Sequence, residues 1–440
     1  MKCLIIAAGR GSRLSEKGDS KPLIPILGVP LLERVIRAAL EGGANEFLVV
    51  TGYRGNDIRD FLNSLEGKLS VPITAIHNGE WEKENGLSVL KAQKYLDEPF
   101  LLSMSDHLFD PSIIRDLLNQ PLPVNEIILG VDMGNDNPLV DMDDVTKVKI
   151  KDGKIIDIDK KLLDFDGFDT GIFCCTPAIF QALVMSEEKN GDTSLSGAIR
   201  ILAGNGKAGV FDIGNRFWVD VDDASAFARA EKALMSNLRD KASDGPISRW
   251  LNRPLSMFIS RRLVNTNLSP NQISLLSFSF SLLAAGLFST RSAFFLFLGG
   301  VLAQFASVID GCDGEVARLK FQASAYGGWL DAVLDRYADA FLLFGLTWYL
   351  FGETGDGVVL WIGFLAIIGS FVLSYSADKY DSLMKNQIRL GASLRLGRDV
   401  RVFIIFLGAI FNQVYITLII IAVLMNLEVI RRVLICRKHE

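Results

Sequence analysis

Over the first 237 residues, short apolar runs of strand type (Cys3–Ala8, Glu46–Thr51, Phe100–Ser105, Glu126–Val131) alternate with stretches of helical spacing such as Pro30–Glu41 and Ile58–Leu65. That alternation predicts an α/β, Rossmann-like unit with a mostly parallel sheet. Farther on, VKIKDGKIIDI centres on Asp152-Gly153, a pair that favours a type I′ hairpin, expected here as an edge insertion. Ala224–Leu238 is patterned as an amphipathic helix, and Arg239–Pro246 is polar with a Gly-Pro break. A cytosolic domain over 1–237 and a linker over 238–247 follow.

From 248 to 440 the pattern becomes about six apolar stretches, near Gln272–Ser289, Ala293–Ile309, Trp329–Phe351, Val358–Ala377, Val402–Phe411 and Val414–Ile435. An all-α domain of six transmembrane helices is the expectation. Basic residues gather at Arg318/Lys320, between Lys379 and Arg401, and at Arg431–Lys438. The alternate loops carry Arg291, the acidic Glu353–Asp356 and the neutral Asn412-Gln413. Positive-inside counting places the basic set, the N-terminal domain and both sites described below on the cytoplasmic face of an integral, multi-pass protein. Ahead of the first span, SRWLNRPLSMFISRRLVNT segregates Trp250, Leu251, Leu255, Phe258 and Ile259 from Arg249, Arg253, Arg261 and Arg262, the signature of an interfacial helix.

Composition agrees with this division. At 440 residues, 49% hydrophobic and 22% charged, the chain is too long for one ordinary domain and too apolar to be wholly soluble. The formal charge is -5, and after Asp244 about 18 basic residues outweigh about 14 acidic ones, so the acidic excess lies in the N-terminal domain. No nucleic-acid partner is expected. The five cysteines include the adjacent Cys174-Cys175 but no C-x-x-C pair, which points to reduced thiols rather than zinc or disulfides.

The first chemical site opens the chain. In Leu4-Ile-Ile-Ala-Ala-Gly9-Arg-Gly11-Ser-Arg13-Leu14, followed by Lys21-Pro22, a strand runs into a turn with two glycines. Gly9 and Gly11 let backbone N–H groups approach phosphate oxygens, and Arg13 and Lys21 can neutralise charge as pyrophosphate leaves. It is neither a Walker A loop nor a dinucleotide fingerprint. Asp106 ends a predicted strand, where a doubly wound sheet presents ligands, and a second carboxylate, Asp220 or Asp222, would complete a site for Mg²⁺. Since alternate strand residues point to opposite faces, one of the two is expected to face the site, with Asp222 favoured. His107 is expected to support Asp106 rather than act as a base.

These residues resemble the sugar-phosphate nucleotidyltransferase family, whose signature is the A-A-G-x-G-x-R-L turn plus K-P. The resemblance spans roughly 1–235 and includes Leu102-Ser-Met-Ser-Asp106-His107, Asp169-Thr-Gly171-Ile-Phe173 and Trp218-Val-Asp220-Val-Asp222. It implies a metal aspartate at Asp106 and a second acidic position at Asp220/Asp222. Within the family, the closer similarity is to cytidylyltransferases that accept alcohol phosphates. Their Asn-containing loop implies nucleotide-binding roles for Asn85 and Ser88 in the segment His77–Ser88.

The second site is acidic and lies in the apolar half. Asp310 and Asp313 are three residues apart, and Asp331 and Asp335 are four apart, so each pair shares a helix face. Four converging carboxylates at a membrane boundary demand a divalent cation. The spacing D-x2-D-G-x2-A-R-x8-G-x3-D-x3-D, together with Leu268-Ser-Pro270-Asn271 at the start of the first span, is similar to the CDP-alcohol phosphotransferase family over about 244–440. This implies that Asp310, Asp313 and Asp331 bind Mg²⁺ or Mn²⁺, and that Asp335 deprotonates the acceptor hydroxyl and ligates a second metal. It also implies that Gly314, Ala317 and Gly327 leave room for cytidine diphosphate. Glu315 and Asp339 are expected to be structural or solvated. Arg389, Arg398 and Arg401, from a basic loop, are candidates for an acceptor that carries phosphate.

A cytidylyltransferase makes the CDP-alcohol that a phosphotransferase consumes, so the tandem implies consecutive steps. It is similar to the family of bifunctional inositol-1-phosphate cytidylyltransferase/di-myo-inositol-phosphate-phosphate synthases. The implied sequence is CTP plus inositol 1-phosphate giving CDP-inositol and pyrophosphate, then transfer of phosphoinositol to a second inositol 1-phosphate with release of CMP. Membrane lipid is the expected surrounding, and the resemblance implies a homodimer through the spans. Because 22% charged residues is low for the hyperthermophiles associated with that product, the alternative is a similar enzyme using another polyol phosphate or a lipid acceptor.

Overall fold

The computed structural model describes residues 1–134, 137–238, 245–377, 379–380 and 397–437. The chain divides into two compact units, Met1–Leu234 and Met235–Glu440. Arg389 and most of the expected linker lie outside the described residues.

In the first unit the strands longer than two residues are β1 (Lys2–Ala7), β2 (Glu46–Thr51), β3 (Ile73–His77), β4 (Phe100–Met104), β5 (His107–Phe109), β6 (Ile127–Asp132), β7 (Lys147–Lys151), β8 (Lys154–Asp159), β9 (Gly167–Cys175), β10 (Ala208–Asp212) and β11 (Trp218–Asp220). Nine of them form one sheet in the order β3-β2-β1-β4-β9-β6-β10-β8-β7. The β3-β2-β1-β4 half is parallel. The other half corrects the expectation of a mostly parallel sheet, because β9 runs antiparallel to both β4 and β6. After β6 the chain makes the hairpin of β7 and β8, which turns at Asp152 and Gly153, both at positive φ, and β9 then enters beside the end of β6, with Phe168 opposite Asp132. The hairpin sits at the sheet edge, and β7 also pairs with β9.

Helices α1 (Leu31–Gly42), α2 (Gly55–Leu69), α3 (Asn85–Leu90), α4 (Pro111–Leu118), α5 (Ala178–Asn190), α6 (Leu195–Gly204) and α7 (Ala224–Ser236) accompany the strands. Helix α4 begins where Asp110 accepts from Ser112 N and Pro111 fills the first turn, a start its sequence dictates. Strand β1 is buried at Cys3 through Ala7, as a central strand requires, and Leu4, Leu48, Leu102, Leu129 and Phe173 join one core with Ile179, Leu183 and Ile199.

The second unit is helical: α8 (Arg253–Leu263), α9 (Pro270–Phe288), α10 (Ala293–Leu319), α11 (Ala325–Thr354), α12 (Val358–Tyr375), α13 (Arg398–Ile410) and α14 (Val414–Arg437). Ser269 and Gln272 form a capping box that starts α9. Among the described residues three helices, α9, α10 and α12, are long and apolar enough to cross a membrane. The helices pack closely through small residues; a Cβ on Gly300 would lie 2.7 Å from that of Ala409. Helix α8 and the turn before it turn their apolar side outward, with Trp250 88% and Phe258 61% exposed, while Asn252, Arg253, Ser256 and Ser260 are buried. Exposed apolar and buried polar side chains invert the pattern of a soluble surface helix.

Candidate active sites

The first site gathers around Lys21. The turn after β1 places Gly11 at φ 64°, and a Cβ there would lie 2.3 Å from Lys21 Cβ, so glycine is what lets the lysine lie against the turn. Lys21 is only 8% exposed. Its Nζ donates to Asp106 Oδ2 at 2.5 Å and also to Asp222 Oδ1. Burial opposes the charged ammonium, but Asp106, Asp222 and Asp220 outweigh it and hold Lys21 protonated above the ordinary lysine range. Arg13 reaches Asp222 as well, from the rim, with Nη1 2.6 Å from Asp144 Oδ2 and Nη2 3.4 Å from Asp222 Oδ2.

Register explains the acidic cluster. The ribbon of β5 and β11 sets Asp220 opposite His107, and Val221 N donates to Asp106 O at 3.1 Å. Strand β11 stops at Asp220, so the alternation of faces stops with it. Asp220 and Asp222 both line the cleft, contrary to the expectation that only one would. They differ in company. Asp222 is held by Lys21 and Arg13, whereas Asp220 joins Asp106 and His107, whose donor atoms all lie within 4.8 Å of one another. His107 Nδ1 is 2.9 Å from Asp106 Oδ1 and 3.6 Å from Asp220 Oδ1.

The electrostatics follow from this crowding. Burial disfavours a charged His107, yet Asp220 and Asp106 raise it to about 9. Burial pushes Asp220 up to about 7, and Asp106 is held well below the usual carboxylate range because Lys21 and His107 outweigh its burial. Asp220 Oδ1 is buried with no hydrogen-bond partner among the described residues. An orphaned carboxylate oxygen beside a second carboxylate fits a hard divalent cation.

Of the other expected residues, Asn85, Asp169 and Gly171 line the same cleft. Asn85 Oδ1 accepts from Leu195 N at 2.9 Å. Gly171 stands at φ 70° with the His107 ring against it, where a Cβ would come within 2.7 Å of Cδ2. Ser88 is 3% exposed and accepts from Asn78 Nδ2, and it is not among the residues lining the cleft. A Cβ on Gly9 would meet nothing within 4 Å, so the turn is open there. Sequence reasoning passed over Lys160, which lines the cleft and lies 2.7 Å from Asp144. Its only signal is a position just past the hairpin strand that the D-G turn announces.

The second site lies where α10, α11 and α13 meet. Asp310, Asp331 and Asp335 offer oxygens within 4.8 Å of one another. Asp313 also lines the cleft, and its Oδ2 accepts from Ser274 Oγ at 2.5 Å. Ser277 Oγ is 3.2 Å from Asp310 Oδ1. These two serines of α9, three residues apart and facing α10, are site residues that the sequence pattern does not single out. An all-carboxylate oxygen set is the donor chemistry of Mg²⁺ or Mn²⁺.

Arg398 enters this cluster directly, with Nη1 2.7 Å from both Asp310 Oδ2 and Asp335 Oδ1. Arg401 behaves differently. It is 2% exposed, donates from Nη2 to Asp339 Oδ2 at 2.6 Å and to Ser374 Oγ at 3.0 Å, and is not among the cleft-lining residues. Gly314 lines the cleft, while Gly327 N donates to Ser324 Oγ at the start of α11, and neither Gly327 nor Ala317 lines it. Glu315 is buried with Arg253, and Asp339 is buried beneath Arg398 and Arg401.

Comparison with known proteins covers both units. The MobA-like NTP transferase domain family matches residues 3–140, and the CDP-alcohol phosphatidyltransferase family matches residues 267–429. A bifunctional IPC transferase and DIPP synthase from Rubrobacter xylanophilus is 34% identical over 99% of this chain and 96% of its own length. The protein of that description from Aquifex aeolicus is 32% identical over 99% of this chain and 98% of its own. Among solved structures, the inositol-1-phosphate CTP transferase from T. maritima is 25% identical, with 52% of this chain and 93% of that one covered and a TM-score of 0.47.

Proposed function

The chain belongs to the bifunctional IPC transferase and DIPP synthase family, an enzyme with nucleotidyltransferase and CDP-alcohol phosphotransferase activities, and we propose that its two acidic clefts perform consecutive steps on inositol phosphate. Residues 1–237 convert CTP and inositol 1-phosphate into CDP-inositol and pyrophosphate. Residues 248–440, after the linker 238–247, transfer phosphoinositol to a second inositol 1-phosphate and release CMP. The observation that carries this reading is the presence in one chain of two separate carboxylate clusters, each with a buried or half-buried cation against it: Lys21 in the first and Arg398 in the second.

In the first step a phosphate oxygen of inositol 1-phosphate attacks the α-phosphorus of CTP, and the bond to pyrophosphate breaks. The turn at Gly9 and Gly11, open at Gly9, presents backbone N–H groups to the phosphates. Lys21, locked protonated by its carboxylates, and Arg13 at the rim face the charge that grows on the leaving group. In the second step the acceptor hydroxyl attacks the phosphorus nearest the inositol of CDP-inositol, its proton passes to Asp335, and CMP departs. Arg398, beside Asp335, is placed to bind an acceptor phosphate. A divalent cation, Mg²⁺ or Mn²⁺, held by Asp106 with Asp220 in the first cleft and by Asp310, Asp313, Asp331 and Asp335 in the second, would neutralise diphosphate oxygens and the leaving group.

The CDP-alcohol phosphatidyltransferase match and the three long apolar helices among the described residues suggest a membrane protein. We further read α9 to α14 as six spans, with both clefts on the cytoplasmic side and a homodimer formed through the spans in lipid. The test is product mass spectrometry on detergent-purified protein given CTP, Mg²⁺ and inositol 1-phosphate. CDP-inositol passing on to a phosphorylated phosphodiester supports the reading. Accumulation of CDP-inositol until a lipid acceptor is added contradicts the assigned acceptor.

A further inference from the structure

The buried side of α8 and of the turn before it is polar, and it faces the second cleft. Asn252, Ser256 and Ser260 recur every four residues, and α10 presents Ser307, Gly311 and Glu315 at the same spacing. Hydrogen bonds join the rows: Asn252 Nδ2 to Ser307 Oγ at 3.1 Å, Gln304 Nε2 to Asn252 Oδ1 at 2.8 Å, and Ser256 Oγ to Glu315 Oε1 at 2.7 Å. Arg253 Nη1 lies 2.7 Å from the same Glu315 oxygen, with the two side chains 7% and 0% exposed. Ser248, Asn252, Arg253 and Ser256 line the cleft that holds Asp310 and Asp313.

A carboxylate buried two residues after Asp313 is not needed to bring the four aspartates together, and it would add a further negative charge beside them without Arg253. A buried ion pair is also a poor way to fasten two helices, since apolar side chains of similar volume hold as well or better. The pair's cost is borne at the wall of a cleft, which points to a task there. The opposite side of the cleft, with Asp335 on α11 and Arg398 on α13, is where the acceptor and the reacting phosphorus belong. The α8 wall lies instead against Gly311 on α10, whose Cβ would stand 3.4 Å from Ser256 Cβ, next to Gly314.

We propose that Arg253 is a positioning residue for the nucleotide end of the CDP-alcohol donor. Through Glu315 it holds the wall formed by Ser248, Asn252 and Ser256 at a fixed distance from Asp310 and Asp313, and the donor's nucleotide fits between them. This rests on the reading of the second unit as a CDP-alcohol phosphotransferase. Because the wall stands away from the reacting atoms, it contributes ground-state binding of donor, which appears in KM and not in kcat.

The experiment supplies CDP-inositol and inositol 1-phosphate to the full chain and follows CMP release, with CTP-dependent pyrophosphate release in the same preparation as a control for the rest of the molecule. Arg253→Met alone strands a buried carboxylate, so the informative variant is Arg253→Met with Glu315→Met. It is expected to melt no lower than the wild type, to keep kcat within about twofold and to raise the donor KM about tenfold, with the acceptor KM unchanged. Arg253→Lys is expected to recover most of that loss. Ser256→Ala, which removes one hydroxyl and threatens folding least, is expected to raise the donor KM about threefold. A donor KM at the wild-type value in the double variant or in Ser256→Ala overturns the proposal, as does an equal rise in the acceptor KM. If the wild type itself releases no CMP from supplied CDP-inositol, the reading of the second unit fails, whatever the variants do.

Discussion

Arg398 Nη1 lies 2.7 Å from Asp335 Oδ1 and an equal 2.7 Å from Asp310 Oδ2, so one guanidinium of α13 joins carboxylates carried by α11 and α10. Three residues on, Arg401 makes its ion pair with Asp339 below the cleft. Two arginines that read alike in the sequence therefore have different work to do.

Replacing Arg398 with alanine should weaken a phosphorylated acceptor selectively. The KM for inositol 1-phosphate as acceptor is expected to rise about tenfold or more, with a much smaller change for unphosphorylated inositol, since a charge-assisted bond to phosphate is lost. Steady-state CMP release with the two acceptors compares them. Equal losses would contradict a phosphate role.

Arg401→Ala should act on stability instead. Among the described residues it leaves the Asp339 carboxylate, 3% exposed, with only the longer 3.4 Å approach of Arg398 Nε, and removal of one partner of a buried pair costs about 3 kcal/mol or more. A lower melting temperature in detergent, with both acceptors affected alike, is the expected result.

Lys21→Ala should abolish the first reaction and spare the second. Pyrophosphate release is expected to fall by about 10²–10³-fold, the usual scale for a preorganised group facing developing charge, while supplied CDP-inositol is still converted to CMP. Gly11→Ala should reproduce part of this loss, because its Cβ would collide with Lys21 Cβ at 2.3 Å and the residue sits at φ 64°. Parallel pyrophosphate and CMP assays on both variants check the separation.

The sequence conveyed the second site better than the first, for a physical reason. The four aspartates are brought together by helix periodicity over short spans, which residue spacing encodes directly. Asp220 and Asp222 depend on where β11 ends and on its register against β5, which are tertiary facts. The antiparallel β9 was hidden for the same reason, since the direction in which a strand returns is decided by its partners. The D-G hairpin, with Asp152 and Gly153 both at positive φ, was legible because a type I′ turn has strict local demands. Arg398 and Arg401 could not be told apart, because the partner that buries Arg401 is Asp339, on another helix.

One chain carries two separable reactions joined by a CDP-alcohol, and Asp335→Asn distinguishes that arrangement from a single shared site. The protein is given CTP, Mg²⁺ and inositol 1-phosphate, and pyrophosphate, CDP-inositol and CMP are quantified together. Pyrophosphate release at the wild-type rate, with CDP-inositol accumulating and CMP absent, is the predicted result. Loss of pyrophosphate release together with CMP, or CMP release that persists without Asp335, would contradict it.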